Sequence, residues 1–92
     1  MVFDYDPQKS ESNKIKHGID FKAASAVWED ASLVILRSKH LEEERFLAIG
    51  QYKNKIWTVV FTQRTDKIRI ISARRSRDEE VAYYEKNKTN QH

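Results

Sequence analysis

Residues 44–73 contain three apolar segments separated only by short polar turns, and this arrangement constrains the fold more than any other feature of the sequence. The middle segment alternates most clearly. One of its faces carries Ile56, Thr58, Val60 and Thr62, and the other carries Trp57, Val59 and Phe61. A period of two is typical of a β-strand. Lys53-Asn54 and Thr65-Asp66-Lys67 fit tight turns. The segment therefore predicts an antiparallel meander of three strands, at 44–52, 55–64 and 68–73.

The first part of the chain predicts a short strand and two helices. Val2–Tyr5 fits a strand, and Asp6-Pro7 fits a helix start, because Asp caps free N–H groups and Pro suits the first helical position. This helix is expected to reach about His17, with Gly18 as its stop. A second helix is predicted over Asp20–Glu29, where four apolar residues recur at helical spacing: Phe21, Ala24, Val27 and Trp28.

The remaining segments complete an α+β order of β-α-α-β-β-β-β-α. Leu33–Ser38 predicts a strand, and His40–Glu43 a polar connection. The last helix is predicted to begin near Ser76, because Ser76 and Glu79 have the spacing of a capping box. Apolar residues on both faces of the central strands indicate helices over one face and part of the other. In the last strand, alternation predicts two faces, one with Arg69, Ile71, Ala73 and the other with Ile70, Ser72, Arg74.

Length and composition exclude several classes of protein. The 92 residues suit one domain, which we assign to residues 1–86, followed by a frayed tail at 87–92. No apolar run reaches the ~18–20 residues of a membrane span, and the first residues lack the pattern of a secretory signal. The absence of cysteine excludes disulfide scaffolds and thiol catalysis. Together these features predict a cytoplasmic protein.

Positive charge is concentrated in residues 64–77, although the net charge of the chain is only +3. The stretch holds one acidic residue and six basic ones, which are Arg64, Lys67, Arg69, Arg74, Arg75 and Arg77. Five of the six are arginines, whose planar fork of donors suits phosphate groups. A polyanion is therefore a predicted partner, and if that polyanion is RNA, the predicted binding residues are Lys67, Arg69, Arg75 and Arg77. The alternative is a solvated face that only aids solubility.

Local motifs indicate neither a cofactor nor a metal site. Glycine occurs only twice, so there is no Gly-rich phosphate loop, and His17, His40 and His92 lack metal-binding spacing. The remaining candidate is a basic site on the last two strands and the last helix. Arg64 ends one strand and Arg74 the next, and the predicted fold would bring both near one phosphate.

RNA cleavage without a metal requires a base for the 2′-OH, cations for the charged phosphorane, and an acid for the leaving 5′-oxygen. Arg64 and Arg74 supply cations, while Glu80, Tyr84 and His17 are candidates for proton transfer. Glu80 and Tyr84 are four residues apart and share a helical face. Each candidate also has a structural interpretation: Arg74 can pair with Glu80, Tyr84 can pack against the sheet, and His17 can favour the helix dipole.

Several blocks of residues, in this order and spacing, resemble the BrnT family of bacterial type II toxins. They extend from Phe3 to Glu85 and comprise Asn13 with Lys16-His17-Gly18-Ile19 and Phe21; Glu43-Glu44-Arg45-Phe46 with Ile49-Gly50; Thr62 and Arg64; Arg69-Ile70-Ile71-Ser72-Ala73-Arg74; and Glu80 with Tyr84-Glu85. The resemblance implies a RelE-like fold and an endoribonuclease that inhibits translation and growth. It also implies a BrnA-type, DNA-binding antitoxin that neutralises the toxin, and a complex that binds operator DNA and represses its own promoter.

The resemblance also implies roles for particular residues. In RelE-like toxins, arginines on the late strands and a tyrosine on the final helix commonly act on RNA. Here the corresponding positions are Arg64, Arg74 and Tyr84. Glu80 and His17 lie in family blocks, and proton-transfer roles for them rest on their chemistry alone.

Two other functions remain compatible with the sequence. The first is a non-catalytic nucleic-acid-binding module, whose affinity would fall steeply with salt. The second is a regulatory interaction protein that offers its apolar sheet edges to a partner. Cleavage of RNA in EDTA separates the nuclease from both alternatives.

Overall fold

The computed structural model describes residues 1–38 and 43–90, which form an α+β domain. In chain order its elements are β1 (Phe3–Asp4), α1 (Pro7–His17), α2 (Phe21–Ala24), a 3-10 helix (Ser25–Glu29), β2 (Val34–Ser38), β3 (Arg45–Tyr52), β4 (Lys55–Gln63), β5 (Ile68–Arg75) and α3 (Asp78–Thr89). The predicted order of strands and helices is confirmed. Apart from Glu43, the predicted connection His40–Glu43 lies outside the described residues. Within the two described ranges, no helix has both the length and the apolar character needed to span a membrane.

The five strands form one mixed sheet in the order β1-β5-β4-β3-β2. Strands β2 to β5 form the predicted antiparallel meander, whereas β1 pairs in parallel with β5 through Phe3 and Asp4. At the β3–β4 turn, Lys53 and Asn54 have φ angles of 50° and 65°. Positive φ at both positions matches the two-residue turn that suits the twist of a hairpin.

A β-bulge in β5 changes which of its side chains face the core. Ile71 is an extra residue, because the register of β5 against β4 passes directly from Ile70 to Ser72. Ile70 and Ala73 consequently share the face that packs in the main core, and Arg74 points to the opposite face. The predicted alternation, which grouped Ala73 with Ile71, is wrong because it assumed an unbroken period of two.

The main core lies between the helical segment 7–29 and the face of the sheet that carries Val59, Ile70 and Ala73. Its buried members are Ile19, Phe21, Ala24, Val27, Ala48, Trp57, Val59, Phe61, Ile68, Ile70 and Ala73. The predicted helix Asp20–Glu29 begins at its expected cap, Asp20, but tightens into the 3-10 helix after Ala24. Its apolar stripe is nevertheless buried as predicted, apart from the half-buried Trp28.

Asn13 on α1 forms hydrogen bonds with the backbone of β5 at its outer edge, beyond the residues that pair with β1. Its side-chain Nδ2 donates to the Ala73 carbonyl at 2.9 Å, and its Oδ1 accepts from the Ala73 N–H at 3.3 Å. The same Nδ2 donates to the Ile19 carbonyl at 2.8 Å, just after Gly18 ends α1 with φ 81°. One amide therefore replaces a strand neighbour and fixes the C-terminal end of α1 against β5.

Gly50 lets the 3-10 helix approach β3 closely. A Cβ atom at this position would lie 3.0 Å from both the Cβ and the carbonyl oxygen of Val27, and 3.2 Å from Leu33 Cδ1. Backbone atoms of Val27 cannot yield as a flexible side chain would, so any larger residue must push the helical segment away from the sheet.

Gly50→Ala is therefore expected to destabilise the protein by about 1–3 kcal/mol in urea denaturation. Gly18→Asn is the matched control, because a Cβ at Gly18 meets no atom within 4 Å and asparagine tolerates positive φ. A Gly50→Ala variant as stable as the wild type would contradict the close contact between the 3-10 helix and β3.

Candidate active site

The start of α3 is held against the sheet by hydrogen bonds that differ from the predicted capping box. Arg77, not Ser76, is the N-cap residue, and Glu80 accepts the Arg77 backbone N–H at 2.8 Å. The Ser76 hydroxyl instead lies 2.7 Å from the Thr58 hydroxyl of β4. The predicted start is thus one residue early, because Ser76 still belongs to the end of the β-sheet, where its N–H donates to the Ile56 carbonyl.

Arg74 and Glu80 form a two-pronged ion pair between β5 and α3. Arg74 Nη1 donates to Glu80 Oε1 at 2.7 Å, and Nη2 donates to Oε2 at 2.8 Å. Glu80 is only 5% exposed and also accepts from the Thr58 hydroxyl at 3.1 Å. The carboxylate therefore receives four hydrogen bonds, from Arg74 twice, from Thr58 and from the Arg77 N–H, so its buried charge is fully satisfied.

These contacts set the ionisation of both partners. Burial alone would raise the pKa of Glu80, but the hydrogen bonds from Arg74, the Arg77 N–H and Thr58 lower that pKa to about 2. Hydrogen bonding to Glu80 raises the pKa of Arg74. Glu80 is thus an ionised carboxylate at neutral pH, and its oxygens are already occupied by protein donors.

The Arg74 guanidinium keeps one edge available. Its Nη1 also approaches the Arg75 carbonyl at 3.4 Å, whereas no acceptor among residues 1–38 and 43–90 contacts its Nε–H or second Nη2–H. Those two N–H groups lie on one edge of the planar group, which is the geometry that binds two oxygens of a phosphate. Glu80 therefore fixes one edge of Arg74 and leaves the neighbouring edge for a ligand.

Tyr84 shares the face of α3 with Glu80, as predicted, but points into the protein. It is 1% exposed, and its hydroxyl donates to Asp30 Oδ2 at 2.6 Å. Burial and this hydrogen bond raise the pKa of Tyr84 to about 12. Sequence reasoning missed Asp30, which also accepts from the Gln51 and Ser32 N–H groups. The one local signal was the Asx-turn pattern of Asp30-Ala31-Ser32.

His17 lies at the same end of the sheet as Arg74, but on the side covered by α1. It ends α1 one turn after Asn13, whose amide holds Ala73, the neighbour of Arg74. The imidazole is half-buried. Its position at the C-terminal end of α1 also suits the helix dipole. Stabilisation of α1 is therefore a structural role for His17 that is compatible with its predicted role in proton transfer.

Arg64 is not part of this cluster. It follows β4 at the β4–β5 turn, whereas Arg74 pairs with Thr58 near the other end of that strand. Six residues of extended chain separate Thr58 from Arg64, which corresponds to about 20 Å. The prediction that Arg64 and Arg74 meet at one phosphate is wrong. Arg64 follows the C-terminal end of β4 and Arg74 lies near the C-terminal end of β5, and because these strands are antiparallel, their C-terminal ends lie at opposite ends of the sheet.

The four predicted RNA-binding residues are divided in the same way. Lys67 is exposed in the β4–β5 turn, and Arg69 forms an ion pair with Asp4 at 2.8 Å near that end. Arg75 and Arg77 are exposed at the Arg74 end, where the Arg75 guanidinium lies 5.6 Å from the centre of the Trp57 ring. Of these four residues, only Arg75 and Arg77 therefore lie at the Arg74 end of the sheet, and Arg75 lies there on the core face, beside Trp57.

No group of three or more His, Cys, Asp or Glu side chains placed to hold a metal ion occurs among the described residues. The candidate site consists instead of the Arg74 edge, with Glu80 behind it and Arg75, Arg77 and His17 at the same end of the sheet.

Comparison with known proteins matches residues 5–80 to a family described as "Ribonuclease toxin, BrnT, of type II toxin-antitoxin system". The match contains His17, Arg74 and Glu80 and ends before Tyr84. No individual curated protein matches the chain. The resemblance seen in the sequence is confirmed at the level of the family.

Acid is expected to remove the contribution of Glu80 to stability. Because the pKa of Glu80 is about 2 in the folded protein and 4.5 as its ordinary value, this contribution is complete above about pH 5 and is lost as the pH falls towards 2. The shift corresponds to roughly 3 kcal/mol, of which about 2 kcal/mol disappears by about pH 3. Urea denaturation at neutral pH and at about pH 3 measures this loss.

Glu80→Gln should have lower stability at neutral pH and a flatter dependence on pH than the wild type, since the amide does not titrate. Glu79→Gln is the matched control, because Glu79 is exposed on the same helical turn. Equal acid losses in the wild type and Glu80→Gln would contradict the assignment of the shifted carboxyl to Glu80.

Proposed function

Because the chain belongs to the BrnT family of type II ribonuclease toxins, we propose that it cleaves RNA at a phosphodiester held by Arg74, without a metal ion, and thereby inhibits translation and growth. The observation that carries this proposal is the Nε/Nη2 edge of Arg74, which meets no acceptor among residues 1–38 and 43–90, beside the edge that Glu80 holds. The RelE-like fold that the sequence resemblance implies is consistent with a ribonuclease site on the last strands.

The reaction is an attack of the ribose 2′-oxygen on the adjacent phosphorus. The bond from phosphorus to the 5′-oxygen breaks, which leaves a 2′,3′-cyclic phosphate and a 5′-hydroxyl end. Arg74 stabilises the additional negative charge on the non-bridging oxygens of the phosphorane. The 2′-OH proton passes to a water molecule and the 5′-oxygen takes a proton from water, so that protons and charge balance; His17, which lies at the same end of the sheet on its α1 side, is the candidate side chain for the first transfer.

Glu80 and Tyr84 have supporting roles in this proposal. Glu80 is a positioning residue, since an ionised carboxylate with four hydrogen bonds is a poor acceptor for the 2′-OH proton. Tyr84 connects α3 to Asp30 and lies too deep for its hydroxyl to reach RNA in this conformation. Arg64 is assigned to contact with the RNA backbone away from the scissile phosphate, because it lies at the other end of β4.

Cleavage of RNA by the purified protein in EDTA tests the reaction. The expected products carry 2′,3′-cyclic phosphate ends, and Arg74→Ala should reduce the rate by about 10²–10³-fold. His17→Ala tests whether the imidazole takes the 2′-OH proton: a loss of about 10²–10⁴-fold assigns that step to His17, and an unchanged rate leaves it to water. Arg64→Ala is the matched arginine control: with saturating RNA it should retain a rate close to that of the wild type, because the backbone contact proposed for it contributes to affinity alone, and Tyr84→Phe should retain that rate as well.

Circular dichroism must show that each variant is folded, because Arg74 also stabilises the protein. Strict dependence on added Mg²⁺ would refute the metal-independent reaction, and binding of RNA without cleavage would favour the non-catalytic module. Loss of cleavage in Tyr84→Phe, with the fold intact, would show that the Tyr84 hydroxyl takes part in the reaction.

The toxin–antitoxin context leads to a second part of the proposal: a BrnA-like antitoxin neutralises this chain, and their complex binds operator DNA and represses its promoter. The product of a neighbouring reading frame should restore growth when expressed with the toxin. The complex should also retard promoter DNA in a gel, whereas the toxin with a non-cognate antitoxin should not. Failure of every neighbouring product to restore growth would refute this part.

A further inference from the structure

A cationic cavity of about 210 Å³ lies near the end of the sheet that carries Arg74, but on the core face. Three lysines line it, Lys14 from α1 and Lys53 and Lys55 from the β3–β4 hairpin. Tyr52 and Trp57 form part of its wall. The position of the cavity follows from the register, because Trp57 pairs with Arg75 and the next residue of β4 pairs with Arg74.

The aromatic rings of this cavity hold cations in place. Lys53 Nζ lies 5.5 Å from the centre of the Tyr52 ring, and the Arg75 guanidinium lies 5.6 Å from the centre of the Trp57 ring. The Trp57 Nε1–H donates to the Tyr52 carbonyl at 3.2 Å, which fixes the indole. Because cations already lie near both rings, the cavity suits a phosphate group better than a stacked base.

Lys14, Lys53, Lys55 and Arg75 form no ion pair with a carboxylate in the described part of the chain. The three lysines that line this small cavity, together with Arg75 beside its Trp57 wall, raise the local positive potential, and a bound anion lowers their mutual repulsion. The α1 dipole accounts for a cation at Lys14 alone, because Lys53, Lys55 and Arg75 are not on that helix.

We propose that this cavity binds a backbone phosphate of the RNA strand at a position distinct from the cleaved one. This inference rests on the proposed function for its ligand, since RNA is the polyanion of a ribonuclease. A strand with one phosphate at Arg74 reaches the cavity by passing over the end of β4 and β5, where Arg75 and Arg77 are exposed. The cavity thus anchors the strand, while Arg74 acts on the scissile bond.

The test is fluorescence anisotropy with a short, labelled, single-stranded RNA that is fully 2′-O-methylated and therefore cannot be cleaved by 2′-OH attack. Binding is measured over a series of KCl concentrations with the full chain. Each phosphate contact in single-stranded nucleic acid contributes about 0.7 to the slope of log affinity against log salt. The double variant Lys53→Gln/Lys55→Gln removes the one phosphate contact proposed for the cavity and should therefore reduce the magnitude of that slope by about 0.7.

Lys9→Gln/Lys86→Gln is the matched control, because it removes the same charge from exposed sites on α1 and α3. Its slope should stay close to that of the wild type. Equal reductions in both double variants would overturn the proposal in favour of diffuse attraction. Unchanged RNA binding together with a weakened antitoxin complex would overturn it in favour of a protein contact.

The two proposals fail in different ways. If the lysine variant binds RNA as the wild type does, while Arg74→Ala still abolishes cleavage, the anchoring cavity is wrong and the ribonuclease stands. If the lysine variant reduces the salt slope but no RNA is ever cleaved, the cavity is supported and the catalytic proposal is wrong. Urea denaturation of each variant excludes loss of fold as the cause.

Discussion

The buried carboxylate of Glu80 is the interaction on which this end of the molecule depends. It joins three elements that are distant in sequence or direction: β4 through Thr58, β5 through Arg74, and the first turn of α3 through the Arg77 N–H. A buried ion pair is not stabilising by itself, because desolvation opposes the attraction. Here the four hydrogen bonds offset that cost, and removal of Arg74 would leave the buried Glu80 carboxylate without its counter-ion.

The bulge at Ile71 is what allows this pairing to exist. In a strand of unbroken alternation, Ala73 would lie on the face of Arg69, away from the main core, and Arg74 would lie on the core face with Ile70. One inserted residue restores Ala73 to the core and turns Arg74 towards α3. The charge that is proposed to act on RNA therefore owes its orientation to a local irregularity, which is a frequent use of bulges near functional sites.

Patterns that depend on neighbouring residues were predictable from the sequence, and patterns that depend on strand register were not. Asp6, Pro7 and Gly18 correctly bounded α1, and the alternation of 55–64 correctly identified β4. The bulge left no local mark, since Ile70 and Ile71 are equally apolar. Arg64 was misplaced for a related reason: its closeness in sequence to Arg74 says nothing about the length of strand between their positions in the sheet. The pairing of Tyr84 with Asp30 spans 54 residues and has no counterpart in sequence spacing.

The geometry of Arg74 explains how one residue can be structural and reactive at once. A lysine in this position would have one flexible ammonium group, and pairing it with Glu80 would leave no fixed direction for a second ligand. A guanidinium has two adjacent edges in a rigid plane, so fixing one edge also fixes the other. Preorganisation of this kind lowers the cost of reorienting charge during a reaction. The saturation of Glu80, which makes it a poor general base, is therefore the same property that makes it an effective support for the arginine.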